Sequence, residues 1–174
     1  ISQLAFILLG LSCGNETGVA GGMLYILMHS AAKGGLFLCA GIVEHNVHTK
    51  DITKMGGLYK KMPLTAIAFA FCSFSIMGIP PFGGFFAKYL VIAGIVSTGN
   101  VILGAVFIAG AVMTVLYLTR LFAKVFLGQE TFPEAKEGTP LMVASVVILA
   151  VLSVLFGVFI SLPSGLASLL GGRM

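Results

Sequence analysis

Two long apolar runs in the second half of this chain constrain its fold more than any other feature. Residues 141–162 contain no charged side chain, and residues 101–126 carry charges only towards their end. About 20 apolar residues cross the hydrocarbon core of a bilayer as a helix. A helix also satisfies its own backbone hydrogen bonds, as lipid requires. Both runs therefore predict membrane-spanning helices.

The composition extends this prediction to the whole chain. Of the 174 residues, 58% are apolar and 9% are charged, and the mean hydropathy is +1.08. Soluble domains carry about 25% charged residues. We therefore expect an all-α, polytopic transmembrane bundle with about six spans. The net charge of +4 comes from scattered lysines, and no basic stripe interleaved with aromatics indicates nucleic acid binding.

Six apolar segments are separated by turn signals and hydrophilic loops. The sequence predicts them at residues 1–12, 19–44, 64–77, 82–96, 101–126 and 141–162, with an interfacial tail after the last. The first segment begins without a signal-peptide pattern and already has the character of a helix interior. We therefore expect it to be truncated, with an upstream portion missing or in another chain.

Residues 75–91, "SIMGIPPFGGFFAKYLV", place a break between the third and fourth segments. Pro80 and Pro81 lack backbone N–H groups, while Gly78, Gly83 and Gly84 permit unusual dihedral angles. The segments are either two tilted helices or two halves of one interrupted helix. In the second case the lysine-rich loop at 44–63 and the loop at 128–140 share one side, and the positive-inside rule mildly favours that arrangement.

The second segment carries a polar seam. Tyr25, His29 and Lys33 follow one another at intervals of four, and Ser30 borders them, so they lie along one helix face. A charge at mid-membrane costs roughly 2.5–3.5 kcal/mol and usually faces a bundle interior or a water-filled cavity. The plainer alternative is that these groups only hold helices together. The ionisable pair favours a proton or ion pathway.

Lys88 follows the break by about two helical turns. It is near enough to a helix end to snorkel to the interface, which is the plainer interpretation. Irregular backbone at membrane depth is tolerated only where it is buried in protein or lines water, and interrupted helices near ionisable groups recur in transporters. The break and the charge together favour a functional role for Lys88.

The remaining polar groups give weaker signals. Glu44 and His48 are four residues apart at the mouth of the second helix, so they form either a relay or an ordinary interfacial loop. The single cysteines Cys13, Cys39 and Cys72 form no paired motif. We predict no metal site, no haem and no enzyme active site in this chain.

Four sequence elements, in their order and spacing, resemble one family. They are "SQLAFILLGL", "HSAAKGGLFLCAG", "DITKMGGLYKKMPLTAIAF" and "SIMGIPPFGGFFAK". The chain is similar to the proton-translocating, antiporter-like subunits shared by respiratory complex I, membrane-bound hydrogenases and Mrp-type sodium/proton antiporters. The resemblance implies that residues 1–128 form the second of two inverted five-helix repeats. Residues 129–174 would add a hydrophilic loop, one further helix and a tail.

The resemblance also implies roles for individual residues. Lys33 and His29 match a central proton axis, and Lys88 matches an outlet channel at an interrupted helix, which the family's helix count separates from the third segment. Iron–sulfur, flavin or nickel–iron centres would lie only in partner subunits, and none in this chain. Other membrane subunits, and a chain or segment carrying the first repeat, would surround it in the inner membrane of a prokaryote.

Three functions remain open at this point. The first is a subunit that translocates protons or sodium ions in a redox-driven complex, by exchange between Lys33 and Lys88 through His29 and water. The second is a subunit of an Mrp-type antiporter without a redox partner. The third is a structural membrane subunit with no transport.

Overall fold

The computed structural model describes residues 2–160, and every regular element in this range is helical. A short 3-10 turn at Leu58–Lys60 precedes the third α-helix. The α-helices are α1 (Ser2–Leu11), α2 (Glu16–Val47), α3 (Pro63–Met77), α4 (Gly83–Ser97), α5 (Val101–Phe126) and α6 (Pro140–Val158). The predicted all-α bundle is confirmed. The predicted tail and the last residues of the sixth segment lie outside the described residues.

Helix α2 is the longest element and the centre of the bundle. The Asn15 side chain caps its start by accepting a hydrogen bond from the backbone N–H of Gly18 at 2.8 Å. His48 ends it in the left-handed conformation, with its N–H bonded to the carbonyl of Glu44. Its 32 residues extend over roughly 48 Å at 1.5 Å per residue. This exceeds the thickness of a hydrocarbon core, so the helix has room to project or tilt.

Helices α3 and α4 lie end to end along α2. By length and composition α2, α5 and α6 can each cross a membrane, whereas α3 and α4 are shorter, with 15 residues each. Positions along α2 contact progressively earlier positions of the α3–α4 segment, as expected for two half-helices in line and antiparallel to α2. The contacting pairs are Gly18 with Gly94, Gly21 with Val91, Met28 with Gly83, Gly35 with Cys72 and Cys39 with Thr65.

The two hydrophilic loops contact each other at one end of the bundle. Lys61 Nζ pairs with a Glu130 carboxylate oxygen at 3.0 Å, and the N–H of Gly57 donates to the carbonyl of Leu127 at 2.9 Å. Both loops are therefore on the same side, as the half-helix alternative requires. The family's helix count predicted that α3 and α4 are separate spans. These contacts instead put the two helices in line as one span, because each of them alone is too short to cross a membrane.

The break itself spans residues 78–82. Gly78 ends α3 at φ 81°, a conformation that side chains disfavour, and the bond between Pro80 and Pro81 is cis. Helix α6 approaches here so closely that a Cβ atom on Gly157 would overlap the carbonyl of Pro81. One side of the irregular backbone is thus packed against α6, while the side chains of Pro80 and Pro81 are exposed in this chain.

Candidate functional site

Lys88 lies in the second turn of α4 and points back at the break. It is only 7% exposed. Its Nζ donates hydrogen bonds to the carbonyls of Ile76 at 2.8 Å and Met77 at 3.1 Å. It also lies 5.5 Å from the ring centroid of Phe6 on α1, within range of a cation–π interaction. The snorkelling alternative does not describe this geometry, because the ammonium group is directed into the bundle.

The carbonyls that hold Lys88 belong to the last turn of α3. A helix leaves its last four carbonyls without intrahelical partners. Here the N–H of Gly78 bonds to Phe74 and Ser75, and Ile79 also bonds to Phe74, which leaves Ile76 and Met77 for Lys88. The negative end of the α3 dipole therefore faces the ammonium group. Lys88 is the side chain that completes the end of the first half-helix.

A second polar cluster joins α1, α2 and α5. The hydroxyl of Tyr25 donates to Gln3 Oε1 at 2.5 Å, and Gln3 Nε2 donates to Thr114 Oγ1 at 3.0 Å. All three residues are buried. The sequence predicted a polar role for Tyr25 but missed Gln3 and Thr114. The available signals were Gln3, which follows Ser2 at the start of an apolar run, and Thr114, a lone polar residue within one.

His29 lies between this cluster and the lysines. The rings of Tyr25 and His29 meet edge to face with centroids 6.3 Å apart. His29 Nδ1 is enclosed and has no hydrogen-bond partner in the described part of the chain. Lys33 lies one turn after His29 on α2, and Lys88 lies near the Phe6 ring, which stacks on Tyr25. No direct hydrogen bond among residues 2–160 joins His29 and the two lysines, so a proton passing between them needs water.

Lys33 occupies the outer side of α2, where the sequence predicted an inward-facing group. Its side chain is exposed in this chain, and Nζ lies 5.0 Å from the ring of Phe37 on the same helix. An interval of four residues turns a 3.6-residue helix by about 40°. The stripe therefore rotates from buried Tyr25 through half-buried His29 to exposed Lys33. Ser30 is also exposed and donates to the carbonyl of Ile26 in its own helix at 2.7 Å.

Glu44 and His48 stand at the mouth of α2 but do not bond to each other through their side chains. Glu44 pairs with Lys50 at 3.3 Å, and His48 is the residue that caps α2. Both line an open cleft of about 810 Å³ between the end of α2 and the start of α6. Within residues 2–160 no group of three or more histidine, cysteine, aspartate or glutamate side chains is arranged to hold a metal ion.

The structure thus brings together only part of the predicted site. Lys88, His29 and Tyr25 gather near the break with its glycines and prolines, while Lys33 and Ser30 lie on an uncovered face and Glu44 and His48 lie at one end. Phe6, Gln3 and Thr114 are additional members. They come from α1 and α5, and their proximity depends on helix packing that the local sequence does not reveal.

Solved structures of two complexes contain chains that are similar to this one. A chain of the Mrp complex from Dietzia sp. DQ12-45-1b matches with a TM-score of 0.87 and 25% identity, over 95% of this chain and 40% of that one. A chain of the membrane-bound sulfane sulfur reductase, an archaeal respiratory membrane complex, matches with a TM-score of 0.85 and 32% identity, over 90% of this chain and 26% of that one.

Curated relatives give the same result at the level of sequence. NADH-quinone oxidoreductase subunit N of Desulforudis audaxviator is 34% identical over 140 residues, which cover 80% of this chain and 28% of the relative. A Na(+)/H(+) antiporter subunit of Alkalihalophilus pseudofirmus is 35% identical over 134 residues, covering 77% of this chain and 27% of the relative. The chain therefore spans less than a third of the length of these relatives. The family described as NADH:quinone oxidoreductase/Mrp antiporter, TM, matches residues 1–114, and this integral membrane chain belongs to it.

Proposed function

We propose that this chain translocates protons as part of an antiporter-like subunit of a redox-driven membrane complex. The observation that carries the proposal is Lys88, a buried ammonium group held by two carbonyls at a helix break. Ionisable residues inside a membrane are rare and costly, and they mark ion pathways and proton relays. The similarity to an NADH-quinone oxidoreductase subunit supports coupling to electron transfer.

The hydrogen-bond geometry of Lys88 suits a group that gains and loses a proton. An ammonium group has three N–H donors, and two of them bond to Ile76 and Met77. The third is available to water. After releasing one proton, the neutral amine still has two N–H groups for the two carbonyls. Lys88 can therefore change its charge while α3 keeps its end capped.

The proposed route runs from Lys33 through His29 to Lys88. His29 supplies a ring nitrogen without a protein partner in the described chain. Because buried polar atoms are normally hydrogen-bonded, this nitrogen suits exchange of a proton with water. Burial and like charges both disfavour an ammonium ion. A change of charge near Lys33 would therefore bias which lysine holds the proton.

The uncovered face of α2 indicates how the chain is assembled. Lys33 is exposed here within an apolar helix, and a charge facing lipid is costly. Other membrane subunits, or the segment with the first repeat, would cover this face, with residues 1–128 as the second repeat. Iron–sulfur, flavin or nickel–iron centres would belong to partner subunits. We place the complex in the inner membrane of a prokaryote, with the lysine-rich loop on the cytoplasmic side.

Replacement of Lys88 in the intact complex tests the proposal. Lys88→Gln keeps two N–H donors for the α3 carbonyls but has no transferable proton, while Lys88→Ala removes both properties. We expect both variants to lose proton uptake into sealed vesicles during turnover, measured with a pH-sensitive dye. Lys54→Ala is the matched control, since Lys54 is an exposed lysine in the basic loop. Normal proton uptake by an assembled Lys88→Gln complex would show that the chain is a structural subunit.

A second candidate is a subunit of a sodium/proton antiporter without redox partners. It is favoured by the 35% identity to the antiporter subunit of Alkalihalophilus pseudofirmus and by the match to the Mrp complex. The same vesicles distinguish the two. Proton movement driven by an electron donor indicates the redox-driven complex, whereas movement that requires only a sodium gradient indicates the antiporter.

A further inference from the structure

We infer that Gln3 is a positioning residue for proton transfer through His29: it holds the Tyr25 hydroxyl towards α1 and so leaves the buried His29 nitrogen free for water. This inference rests on the proposed function, because it concerns the same route. It assigns a role to α1 and α5, neither of which contributes a residue to the path predicted from the sequence.

The hydrogen bonds of the cluster all run in one direction. Tyr25 donates to Gln3, Gln3 donates to Thr114, and Thr114 donates to the carbonyl of Gly110 in its own helix at 2.9 Å. The phenol has a single O–H donor, and that donor is committed to Gln3. An amide also passes no proton readily at neutral pH. The cluster therefore orients Tyr25 and is not itself a proton path.

Burial keeps the Tyr25 hydroxyl in this orientation. Tyr25 and Thr114 are each 1% exposed and Gln3 is 6% exposed, so none of them can exchange its partner for bulk water. A buried polar group that loses its partner costs about 1–3 kcal/mol. Without Gln3, the Tyr25 hydroxyl would have to find another acceptor. Its ring already contacts His29 edge to face.

His29 is the group that this orientation affects. Its Nδ1 atom is enclosed and has no partner in the described chain. Among residues 2–160, the charged groups near it are Lys33 on its own helix and Lys88 on α4, and Tyr117 of α5 is close to Tyr25. Phe6, one turn after Gln3 on α1, lies beneath Lys88. Helix α1 thus holds the Tyr25 ring that contacts His29, through Gln3, and supplies the Phe6 ring near Lys88.

The alternative is that the cluster only fastens three helices together. That role predicts loss of stability on mutation, with transport unchanged in whatever complex assembles. A positioning role predicts a change in the proton step itself. The pH dependence of transport separates the two, because helix packing has no reason to shift it.

The test uses the intact complex in sealed vesicles. Gln3→Leu removes the acceptor for Tyr25, and Thr114→Val removes the acceptor for Gln3 at nearly constant shape. We expect proton uptake per turnover to fall about fivefold to tenfold in Gln3→Leu, with a shift of about 0.5 unit or more in the pH of half-maximal uptake. Thr114→Ser should restore what Thr114→Val loses. Ser153→Ala is the control, because Ser153 is equally buried but lies on α6, outside the cluster, and donates to the carbonyl of Leu149 in its own helix.

Three outcomes would overturn the inference. Gln3→Leu and Thr114→Val complexes with normal uptake and normal pH dependence would show that Tyr25 needs no positioning. If neither variant complex assembles while Ser153→Ala does, the cluster only holds the three helices together. Equal losses in Thr114→Ser and Thr114→Val would exclude the hydrogen bond as the cause. If Lys88→Gln also pumps normally, the proposed function itself fails; loss in Lys88→Gln alone leaves that function standing.

Discussion

Gly84 lies where the half-helices α3 and α4 approach most closely. Its replacement by alanine tests whether this close approach is required. A Cβ atom at this position would lie 2.8 Å from the carbonyl carbon of Ser75, with the carbonyl oxygen closer still. The obstacle is backbone, so no side chain can move aside. Helices α3 and α4 must therefore separate by roughly 1.5 Å to restore ordinary contact.

The expected cost follows from what this separation does to Lys88. Its bonds of 2.8 Å and 3.1 Å to Ile76 and Met77 would lengthen towards about 4 Å, beyond hydrogen-bonding range. A hydrogen bond to a charged group contributes about 1.5–3 kcal/mol, and overpacking costs about 1–3 kcal/mol. We expect Gly84→Ala to destabilise the protein by about 3–6 kcal/mol and to abolish most proton uptake.

Thermal unfolding of the purified complex and dye-monitored proton uptake measure the two effects. Gly104→Ala is the matched control, because Gly104 is also a buried helical glycine, but its nearest neighbour would be the Ile92 Cδ1 atom at 3.8 Å, an ordinary contact. Alanine there should be neutral or slightly stabilising. If Gly84→Ala unfolds at the same temperature as Gly104→Ala and still pumps, the close approach of the half-helices is not required.

Two further predictions concern the loops that meet on the basic side. Glu137→Ala should lower stability by about 1–2 kcal/mol, measured by thermal unfolding, because its carboxylate accepts from the N–H of Leu64 at 3.0 Å and from the Thr65 hydroxyl at the start of α3. An unchanged unfolding temperature would contradict this capping role. Lys61→Ala should cost less than about 1 kcal/mol, since its pair with Glu130 is partly exposed. A loss that persists in high salt would contradict that estimate.

The helices were predictable because their signals are local. The fifth segment, predicted at 101–126, is α5 within the same bounds. Helix α2 extends three residues beyond its predicted range at each end, and the reason is clear at its N-terminus. Polar residues such as Asn15 signal both turns and helix caps, and here Asn15 caps the helix.

The site was predictable only where one residue carries the signal. Lys88 and the glycines and prolines before it are conspicuous because charge and broken backbone are costly in a membrane. Lys33 is exposed in this chain because the seam on α2 rotates outward, and its predicted place in a bundle interior or water-filled cavity stays a prediction. The partnership of Gln3 with Thr114 joins residues 111 positions apart. Only the packing of α1 against α2 and α5 could reveal it.

Helix α3 shows how distant parts of the chain fix the break. Its first turn is capped by Glu137 from the last hydrophilic loop, and its last turn by Lys88 from α4. A negative group at the N-terminus and a positive group at the C-terminus both complement the helix dipole. Neither cap lies within α3 or directly beside it in sequence. The half-helix therefore holds its place through residues on both sides of the break, which lets a short segment end in mid-membrane without unsatisfied carbonyls.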